Sequence, residues 1–521
     1  LLYTTSFDPG ASYVWNAGSG EWTVAGNWEG NAAPVNDSLL VFTGAAGTAT
    51  NNAAVTSVAG LKFSNTTGSI VLAGDAFALG EGGIENDSTN VHTISNNMSL
   101  AANASILAVS NGLTIAGNVT NDTASQVLTV GGGENTTISG ALSGQGDLAK
   151  VGLGTLTLSA ANTFTGSFAI NGGEAIVSGT AATTTIDVNS GGTLSLGAAD
   201  ALANGATVTV AAGTFNTATF NDTIGTLVLT NGGTVSGTGV LGATTFTLGG
   251  GTVSGALGAG TANVTGEVSL TGTMASTTIN VNTGGTLTLG SADRIGGSTA
   301  VVIGGGTLAM GANNDTVGTF SITSGTLGGT GTLTASTYAL GGGTISANLG
   351  TGAATAATGT TTVDGNLGGT LTASGGTVDL NGTLADDLTV SSGAVNLGAA
   401  DRLGDTSDVS ISGGTLGLGA NDDTVGTFAI TGGTLGGTGT LTAATYALNG
   451  GTIDANIGAG AATASSGSTT LNGSLLATTL AIDGGTVALG SNGRIDNDTA
   501  VTLSAGVLDM GTFLDGVGSF T

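Results

Sequence analysis

Hydrophobic and polar residues alternate along most of the chain, in short runs that end at glycine or asparagine. Typical runs are SIVLAG from Ser69, QVLTVGGG from Gln126 and GTLTLSAAN from Gly154. A period of two places every second side chain on one face of a strand, and glycine and asparagine mark tight turns. Strong helix formers such as Glu, Lys, Gln and Arg are scarce. The pattern therefore predicts many short strands, sharp turns and almost no helix.

A Gly-Gly-Thr unit followed by an aliphatic residue returns at short intervals. Copies at Gly232 and Gly250 lie 18 residues apart (250 − 232), and those at Gly413 and Gly432 lie 19 apart (432 − 413). Steps of this length suit one coil of a solenoid, because so short a unit cannot bury its apolar face alone. Stacked coils would place Leu on Leu and Val on Val inside, with Thr and Asn outside. The fold class predicted is therefore all-β, a β-solenoid.

A longer repeat is superimposed on the coil repeat. The segment that begins at Ile224 returns at Val317, Val425 and Val517, so the steps are 93 (317 − 224), 108 (425 − 317) and 92 (517 − 425) residues. The middle step is longer by nearly one coil. A solenoid tolerates the insertion of a whole coil because each coil contacts only its neighbours. We predict that the stretch near Thr370 is that inserted coil.

The first sixty residues differ from the rest, since they hold both prolines and all three tryptophans, Trp15, Trp22 and Trp28. The first coil of a solenoid exposes unpaired strand edges unless another segment covers it. We therefore expect an N-terminal aromatic-rich cap, with carbohydrate binding by the three tryptophans as the alternative. The predicted sections are the cap over 1–60, a first β-helix section over 61–190, and a β-helix of long tandem repeats over 191–521 whose last copy is incomplete.

The composition excludes several classes of function. The 521 residues include five Lys and Arg against 33 Asp and Glu, a formal net charge of −28, and no cysteine. So acidic a surface repels phosphate backbones, which argues against nucleic-acid binding. Without cysteine there are no disulfides and no thiolate metal ligands. No run of 18 apolar residues occurs, so no transmembrane helix is predicted.

Few residues are candidates for catalysis. His92 is the one histidine, and without a second histidine or a cysteine a hydrolytic zinc site is not supported. A Ser-His-Asp triad through His92 stays open, although no nucleophile-elbow pattern accompanies it. Aspartates in Asn-Asp-Thr turns at Asn221, Asn314 and Asn497 are expected to cap their own backbone. We expect no catalytic, cofactor-binding or metal site, and no cofactor.

Three arginines occupy one position of the long repeat. Arg402 follows Arg294 by 108 residues (402 − 294) and precedes Arg494 by 92 (494 − 402), with Ala201 in the first copy. A residue that recurs in each repeat suits structure better than catalysis. We expect these arginines to pair with nearby acids or turn carbonyls.

Two binding functions receive less support from the sequence. The Asn-Asp-Asp-Thr segment at Asn421 could chelate a cation weakly, but a solvated turn is the preferred interpretation. Ice binding would need Thr-x-Thr on every coil; Thr155 with Thr157 and Thr286 with Thr288 fit, and the coils that follow do not keep the pair.

The segment from Gly146 to Ser167 resembles the autotransporter-associated β-strand repeat of passenger-type surface proteins. That family shows Gly-x-Leu-x-Lys-x-Gly-x-Gly-Thr-Leu-x-Leu-Ser-Gly-x-Asn-Thr-Tyr-x-Gly; here Ala160 replaces a glycine and Phe164 the tyrosine. The matching residues are Gly146, Leu148, Lys150, Gly152, Gly154, Thr155, Leu156, Leu158, Asn162, Thr163 and Gly166. Later units such as LGSADRIG from Leu289 are also similar to this family. The resemblance implies a right-handed parallel β-helix that is secreted from, or displayed on, a bacterial surface.

The function expected is that of an extracellular structural scaffold or adhesin, a repetitive surface or filament-forming solenoid and not an enzyme. Its expected location is the bacterial cell surface or the extracellular space. Expected partners are further copies of the chain, in fibres or a surface layer, and glycans or host cell surfaces. The alternative is a carbohydrate-active β-helix enzyme or a carbohydrate-binding surface protein.

Overall fold

The computed structural model describes residues 11–53, 55–64 and 66–521, and its regular structure is almost entirely β-strand. The first ten residues of the predicted cap lie outside the described residues. Two short 3-10 helices, Ala25–Asn27 and Glu29–Asn31, complete the regular elements of the described part. The all-β prediction is confirmed.

The strands up to Leu257 are Ser12–Trp15, Gly20–Glu21, Ser38–Phe42, Gly47–Asn51, Ser57–Phe63, Ile70–Gly74, Phe77–Asn86, His92–Ile94, Met98–Leu100, Ala104–Ala108, Leu113–Ile115, Val119–Asn121, Val127–Gly132, Thr136–Ile138, Leu142–Gly144, Asp147–Lys150, Thr155–Leu158, Ala161–Asn162, Phe168–Ile170, Gly173–Val177, Thr180–Ala181, Thr185–Val188, Gly192–Leu196, Thr207–Ala211, Thr214–Asn216, Asp222–Thr230, Gly233–Ser236, Val240–Leu248, Gly251–Val253 and Ala256–Leu257.

The strands from Thr261 onward are Thr261–Val264, Glu267–Leu270, Thr273–Met274, Thr278–Asn282, Thr286–Leu289, Ala300–Ala309, Asp315–Thr316, Thr319–Gly328, Thr332–Thr334, Thr337–Leu340, Gly343–Ile345, Asn348–Leu349, Ala353–Ala356, Thr360–Val363, Leu371–Leu380, Leu388–Leu397, Asp408–Ile411, Thr415–Gly417, Asp423–Ile430, Thr434–Gly436, Thr440–Leu448, Gly451–Ile453, Asn456–Ile457, Ala461–Ala464, Ser468–Leu471, Thr479–Leu489, Ala500–Asp509 and Ser519–Phe520.

The chain forms two compact units. The first holds the described residues up to Ala262 together with Thr271–Thr273, and the second holds Asn263–Leu270 and Met274–Thr521. The strand Ser57–Phe63 runs across the predicted boundary between cap and first β-helix section. Parallel pairing already begins at Ser12–Trp15, which pairs with Leu39 to Phe42, so the aromatic-rich segment takes part in the coil stack.

Each coil of the first unit has up to three strands, which pair in parallel with the corresponding strands of the next coil. The coil that starts at Ala104 shows the arrangement: its first strand pairs with the one from Val127, its second with the one from Thr136, and its third with the one from Leu142. The terms first, second and third strand are used in this sense below. Among the described residues the strands pair in parallel in both units, as a parallel β-solenoid requires, and an isolated bridge between Trp15 and Trp28 is antiparallel.

The second unit has the same organisation and contains the inserted coil. Six successive pairings of first strands lead from Phe320 to Phe428, and five lead from Phe428 to Phe520. The coil that begins at Leu371 belongs to the longer set. The predicted insertion near Thr370 is therefore confirmed.

The core of each unit consists of columns of inward side chains. In the first strands of the first unit, successive coils place a buried residue directly on its equivalent in the coil before. Full burial of one such aliphatic side chain contributes about 1.5–3 kcal/mol, so the columns supply most of the stabilisation. This column runs through Leu40, Leu61, Ile84, Ile106, Val130, Lys150, Ile170, Val188, Val210, Leu229 and Leu248.

Glycine allows the corners of adjacent coils to approach closely. A Cβ atom on Gly140 would lie 2.0 Å from the carbonyl oxygen of Gly117, and one on Gly439 would lie 1.8 Å from that of Asn421. Both distances are far below van der Waals contact, and the obstacle is backbone of the preceding coil. The spacing of the coils therefore requires glycine at these corners.

Gly140→Ala is expected to loosen the coils on either side of residue 140, because overpacking at a backbone contact costs about 1–3 kcal/mol. Gly205→Ala is the matched control in the same unit, since nothing lies within 4 Å of its added methyl group. Hydrogen exchange of the amides between Gly117 and Gly144 should accelerate in the first variant alone. Equal exchange in both variants would contradict the close approach of the coils.

Candidate functional site

The three tryptophans form a buried cluster. Trp15, Trp22 and Trp28 are 0%, 0% and 1% exposed. The Trp15 and Trp28 rings meet edge to face at 5.0 Å, and the Trp28 indole N–H donates to the Trp22 carbonyl oxygen at 2.9 Å. Sugar binding by stacking needs an exposed ring face. Their burial is what the cap interpretation expects, and it leaves the carbohydrate alternative without an accessible platform at these rings.

His92 lies in the core of the first unit and has the geometry of a structural residue. It is 0% exposed, and its Nδ1 accepts the Ile70 amide N–H at 3.0 Å. Nε2 therefore carries the proton of the neutral ring and donates it to the Ser88 hydroxyl oxygen. A histidine that donates to a serine cannot accept that serine's proton. The triad left open by the sequence therefore does not form between His92 and Ser88.

Lys150 is the one polar member of the inward column described above. It stands between Val130 and Ile170 and is 1% exposed. Its Nζ donates to the carbonyl oxygens of Val151 at 2.7 Å, Gly152 at 3.1 Å and Gly172 at 3.0 Å. Three carbonyls satisfy the three N–H donors, so the ammonium group ties its own turn to the turn of the next coil. Burial lowers the pKa of Lys150 to about 8.

Buried aspartates join adjacent coils once in each long repeat. Asp423 accepts the amide N–H groups of Arg402 at 2.8 Å and Leu403 at 3.3 Å, and Asp315 does the same for Arg294 and Ile295. Burial raises the pKa of both carboxyls. Asp222, which is also buried, and Asp515, which is partly exposed, occupy the equivalent positions.

The expectation that aspartates of the Asn-Asp-Thr turns cap their own backbone was incomplete for Asp315. Asp315 does accept the N–H of the following residue, Thr316. Its second oxygen, however, reaches back 20 and 21 residues (315 − 295 and 315 − 294) to the preceding coil. Asn314 likewise accepts the N–H of Thr332 in the next coil. The turn aspartates and asparagines therefore hold coils together as well as shaping turns.

The arginines of the long repeat donate hydrogen bonds to turn carbonyl oxygens, which are one of the two kinds of partner expected from the sequence. Arg402 Nε donates to Ala400 at 2.9 Å, and its Nη1 donates to the Asn381 carbonyl oxygen of the preceding coil at 2.8 Å. Arg494 repeats this geometry with the carbonyls of Asn492 and Asn472. Arg294 Nε also donates two residues back, to Ala292. Each guanidinium thus has a structural role in the stack.

The acidic side chains do not assemble into a metal cluster within the described ranges, where no group of three or more His, Cys, Asp or Glu could hold a metal ion. At the segment considered for weak cation binding, the Asn421 side chain donates to the Leu397 carbonyl oxygen. Asp422 accepts the Thr440 amide, and Asp423 is buried. The side chains of this segment therefore take part in hydrogen bonds between neighbouring coils.

A column of threonine side chains faces outward on the second unit. Thr286, Thr307, Thr326 and Thr344 stand in register on the second strands of the second unit. The second row that ice binding would need is missing, because Thr288 is followed by Ala309 and Gly328. The sequence steps from coil to coil vary, so this single column is not evident from residue spacing.

Residues 148–174 match the passenger-associated-transport-repeat family. The matched segment contains Lys150 and the three carbonyl groups that hold it, and it overlaps the segment singled out from the sequence. No curated protein matches the chain, and no solved structure does. Across the described residues, no helix has the length and apolar character to cross a membrane.

The stability of the first unit is expected to rise as the pH increases from about 8 to 10.5. Lys150 has a pKa of about 8 when folded and 10.5 ordinarily. Between these values the unfolded chain binds the proton that the folded chain has released, so deprotonation favours folding. Urea denaturation followed by circular dichroism across this range should show a rise that Lys150→Met abolishes. Lys62→Met, which removes a half-exposed lysine, should retain it; a rise that persists in Lys150→Met would contradict this role.

Proposed function

We propose that this chain, whose repeat and fold fit an autotransporter passenger-type repeat protein, acts outside the cell as a structural scaffold or adhesin. The repeat family implies secretion to the cell surface or the extracellular space. The solenoid and the repeat together suggest a passenger domain. Within that location, the proposed role is more specific. The chain acts in scaffolding or adhesion, through self-association or through glycan and cell-surface partners.

The observation that carries the proposal is a long uncharged column on the outside of the second unit. Twelve outward residues of the first strands stand in register, and all are small. Coils repeat at about 4.8 Å, so the column offers the same weak contact many times, and many weak contacts add up to strong attachment. The column consists of Val302, Ser321, Ala339, Thr355, Thr372, Thr389, Ser410, Ala429, Ala447, Thr463, Ala481 and Thr502.

The charge distribution agrees with such a surface. The chain carries a formal net charge of −28, which opposes unspecific association through mutual repulsion. Interfaces are depleted of charge at their centres. An uncharged column on an acidic molecule is therefore a part of this surface at which a partner meets little electrostatic resistance.

A non-catalytic role forms part of the proposal. The chemistry of glycosidases requires two carboxyl groups that flank a substrate. Asp222, Asp315 and Asp423 are buried and accept backbone N–H groups of neighbouring coils. His92 is committed to the Ile70 amide and the Ser88 hydroxyl. These contacts support a structural use of the titratable groups over a carbohydrate-active enzyme.

The proposal predicts that the native chain assembles or adheres through this column. Protease treatment of intact cells should release fragments of the chain, and electron microscopy of the surface material should show fibres or a lattice. Thr389→Asp with Thr463→Asp adds two like charges to the column and should reduce assembly or cell adhesion at least tenfold. Thr434→Asp with Thr470→Asp is the matched control, because these threonines face outward on the second strands.

Three outcomes would contradict the proposal. The first is a chain that protease cannot reach on intact cells. The second is discrete monomers that release sugar from a polysaccharide, which would favour the enzymatic alternative. The third is an equal loss of assembly or adhesion in both pairs of variants, which would show that the column has no specific part in assembly or adhesion.

A further inference from the structure

His92 occupies a place in the core that an aliphatic residue takes in neighbouring coils. The inward column of second strands continues from His92 to Leu113, and the Ile70 amide meets the ring from the preceding coil. The ring stacks on Phe63 with centroids 4.3 Å apart and planes 8° from parallel. Phe63 in turn stacks on Phe42, which contacts the tryptophan cluster. The histidine thus joins the aromatic N-terminal coils to the aliphatic ones.

Both ring nitrogens have hydrogen-bond partners, and the partner of Nδ1 fits only the neutral ring. Nδ1 accepts the Ile70 N–H at 3.0 Å, and Nε2 donates to the Ser88 hydroxyl, with the Thr66 hydroxyl 3.3 Å away. The Ser88 hydroxyl donates a hydrogen bond to the Asn90 carbonyl oxygen, and the side-chain amide of Asn90 donates to the Thr66 carbonyl oxygen. The network is complete as it stands, with one proton on the ring.

Protonation would disrupt this network at one point. An imidazolium carries hydrogen on both nitrogens, so Nδ1 would present an N–H to the Ile70 N–H, and the hydrogen bond would be lost. Burial strongly disfavours the charged ring, whereas a cation over the Phe63 ring gains only a modest attraction. The cost exceeds the gain, and burial lowers the pKa of His92 to about 4.

The charges around the ring lie on the outside of the adjoining strands and already pair with each other. Lys62 contacts Glu85 at 2.7 Å and Asp87 at 3.8 Å. Asp75 follows the strand of Ile70, and Glu81 lies on the strand that also holds Glu85. The strands Ala104–Ala108 and Leu113–Ile115 contribute no titratable side chain. An imidazolium would therefore gain no carboxylate partner in the core.

We propose that His92 is an acid-sensitive joint between two segments, Thr66 to Gly74 and Ser88 to Ile94. Protonation of the ring breaks its hydrogen bond to the Ile70 amide and lets these two segments separate. Because the folded pKa lies below the ordinary 6.5, the stabilisation is complete above pH 6.5 and is lost as the pH falls through 4. The N-terminal aromatic coils would then loosen in an acidic environment while the coils farther along the chain persist.

Hydrogen exchange at pH 7, 5 and 4, corrected for intrinsic rates, tests the joint. In the wild-type chain the amides from Thr66 to Gly74 should exchange about a hundredfold faster at pH 4 than at pH 7, since the titration extends from the ordinary pKa of 6.5 down to about 4 and each pH unit corresponds to tenfold. His92→Asn offers the Ile70 amide an oxygen acceptor that does not titrate in this range. In this variant the corrected exchange rates of the amides from Thr66 to Gly74 should therefore not change with pH. The strands near Val208 serve as an internal reference.

An equal acid response in His92→Asn would assign the effect to carboxylates and overturn the proposal, as would no acid response in the wild-type chain. A second measurement does not depend on the variant. The chain has one histidine, so its ring protons give a single titration curve by nuclear magnetic resonance. A pKa well below 6.5, with loss of the Ile70 amide signal on protonation, supports the joint; a pKa at or above 6.5 overturns it.

Discussion

The stacking of coils by parallel backbone hydrogen bonds is the constraint from which the other features follow. Adjacent strands lie about 4.8 Å apart, so a residue at one place in a coil must be compatible with the residues directly before and after it. Inside, this produces the columns of Leu, Val and Ile. At the corners it requires glycine, as at Gly140 and Gly439, where a side chain would collide with the preceding backbone.

The same constraint gives the charged residues of the stack a common task. Lys150, Asp423 and Arg402 differ in charge and place, yet each bonds to the backbone of a neighbouring coil. A turn at a solenoid corner leaves amide and carbonyl groups unpaired, and unpaired buried groups are costly. Charged side chains satisfy these groups and fix the register between coils. His92 also bonds to the backbone of a neighbouring coil, at the Ile70 amide, and only its neutral form can accept that N–H.

Much of the fold could be predicted from the sequence because it depends on local alternation and on repetition. The strands, the coil lengths near Gly413 and the inserted coil near Thr370 all follow from spacing. The positions of Lys150 and Asp423 could have been predicted too, since each has the alternation parity of a buried neighbour, Leu148 or Val425. Polarity alone suggests the surface instead, and from the sequence the segment at Asn421 is accordingly interpreted as a solvated turn.

Other features could not be derived from spacing. Paired first strands lie 16 residues apart at Tyr446 and Ala462 (462 − 446) but 24 apart at Ala104 and Leu128 (128 − 104). Insertions at the corners therefore hide which threonines share a column. The partners of His92 come from two coils, and no local pattern indicates them.

The most direct test of the parallel stack uses the absence of cysteine from the chain. Thr434 and Thr452 are register partners in adjacent coils, and Thr470 is one coil farther. Neighbouring Cα atoms are then about 4.8 Å apart, within disulfide reach, whereas two coils span about 9.6 Å. Oxidation of Thr434→Cys with Thr452→Cys should form an intramolecular disulfide, seen as a mobility shift on a non-reducing gel. A disulfide in Thr434→Cys with Thr470→Cys, or none in the adjacent pair, would contradict the stack.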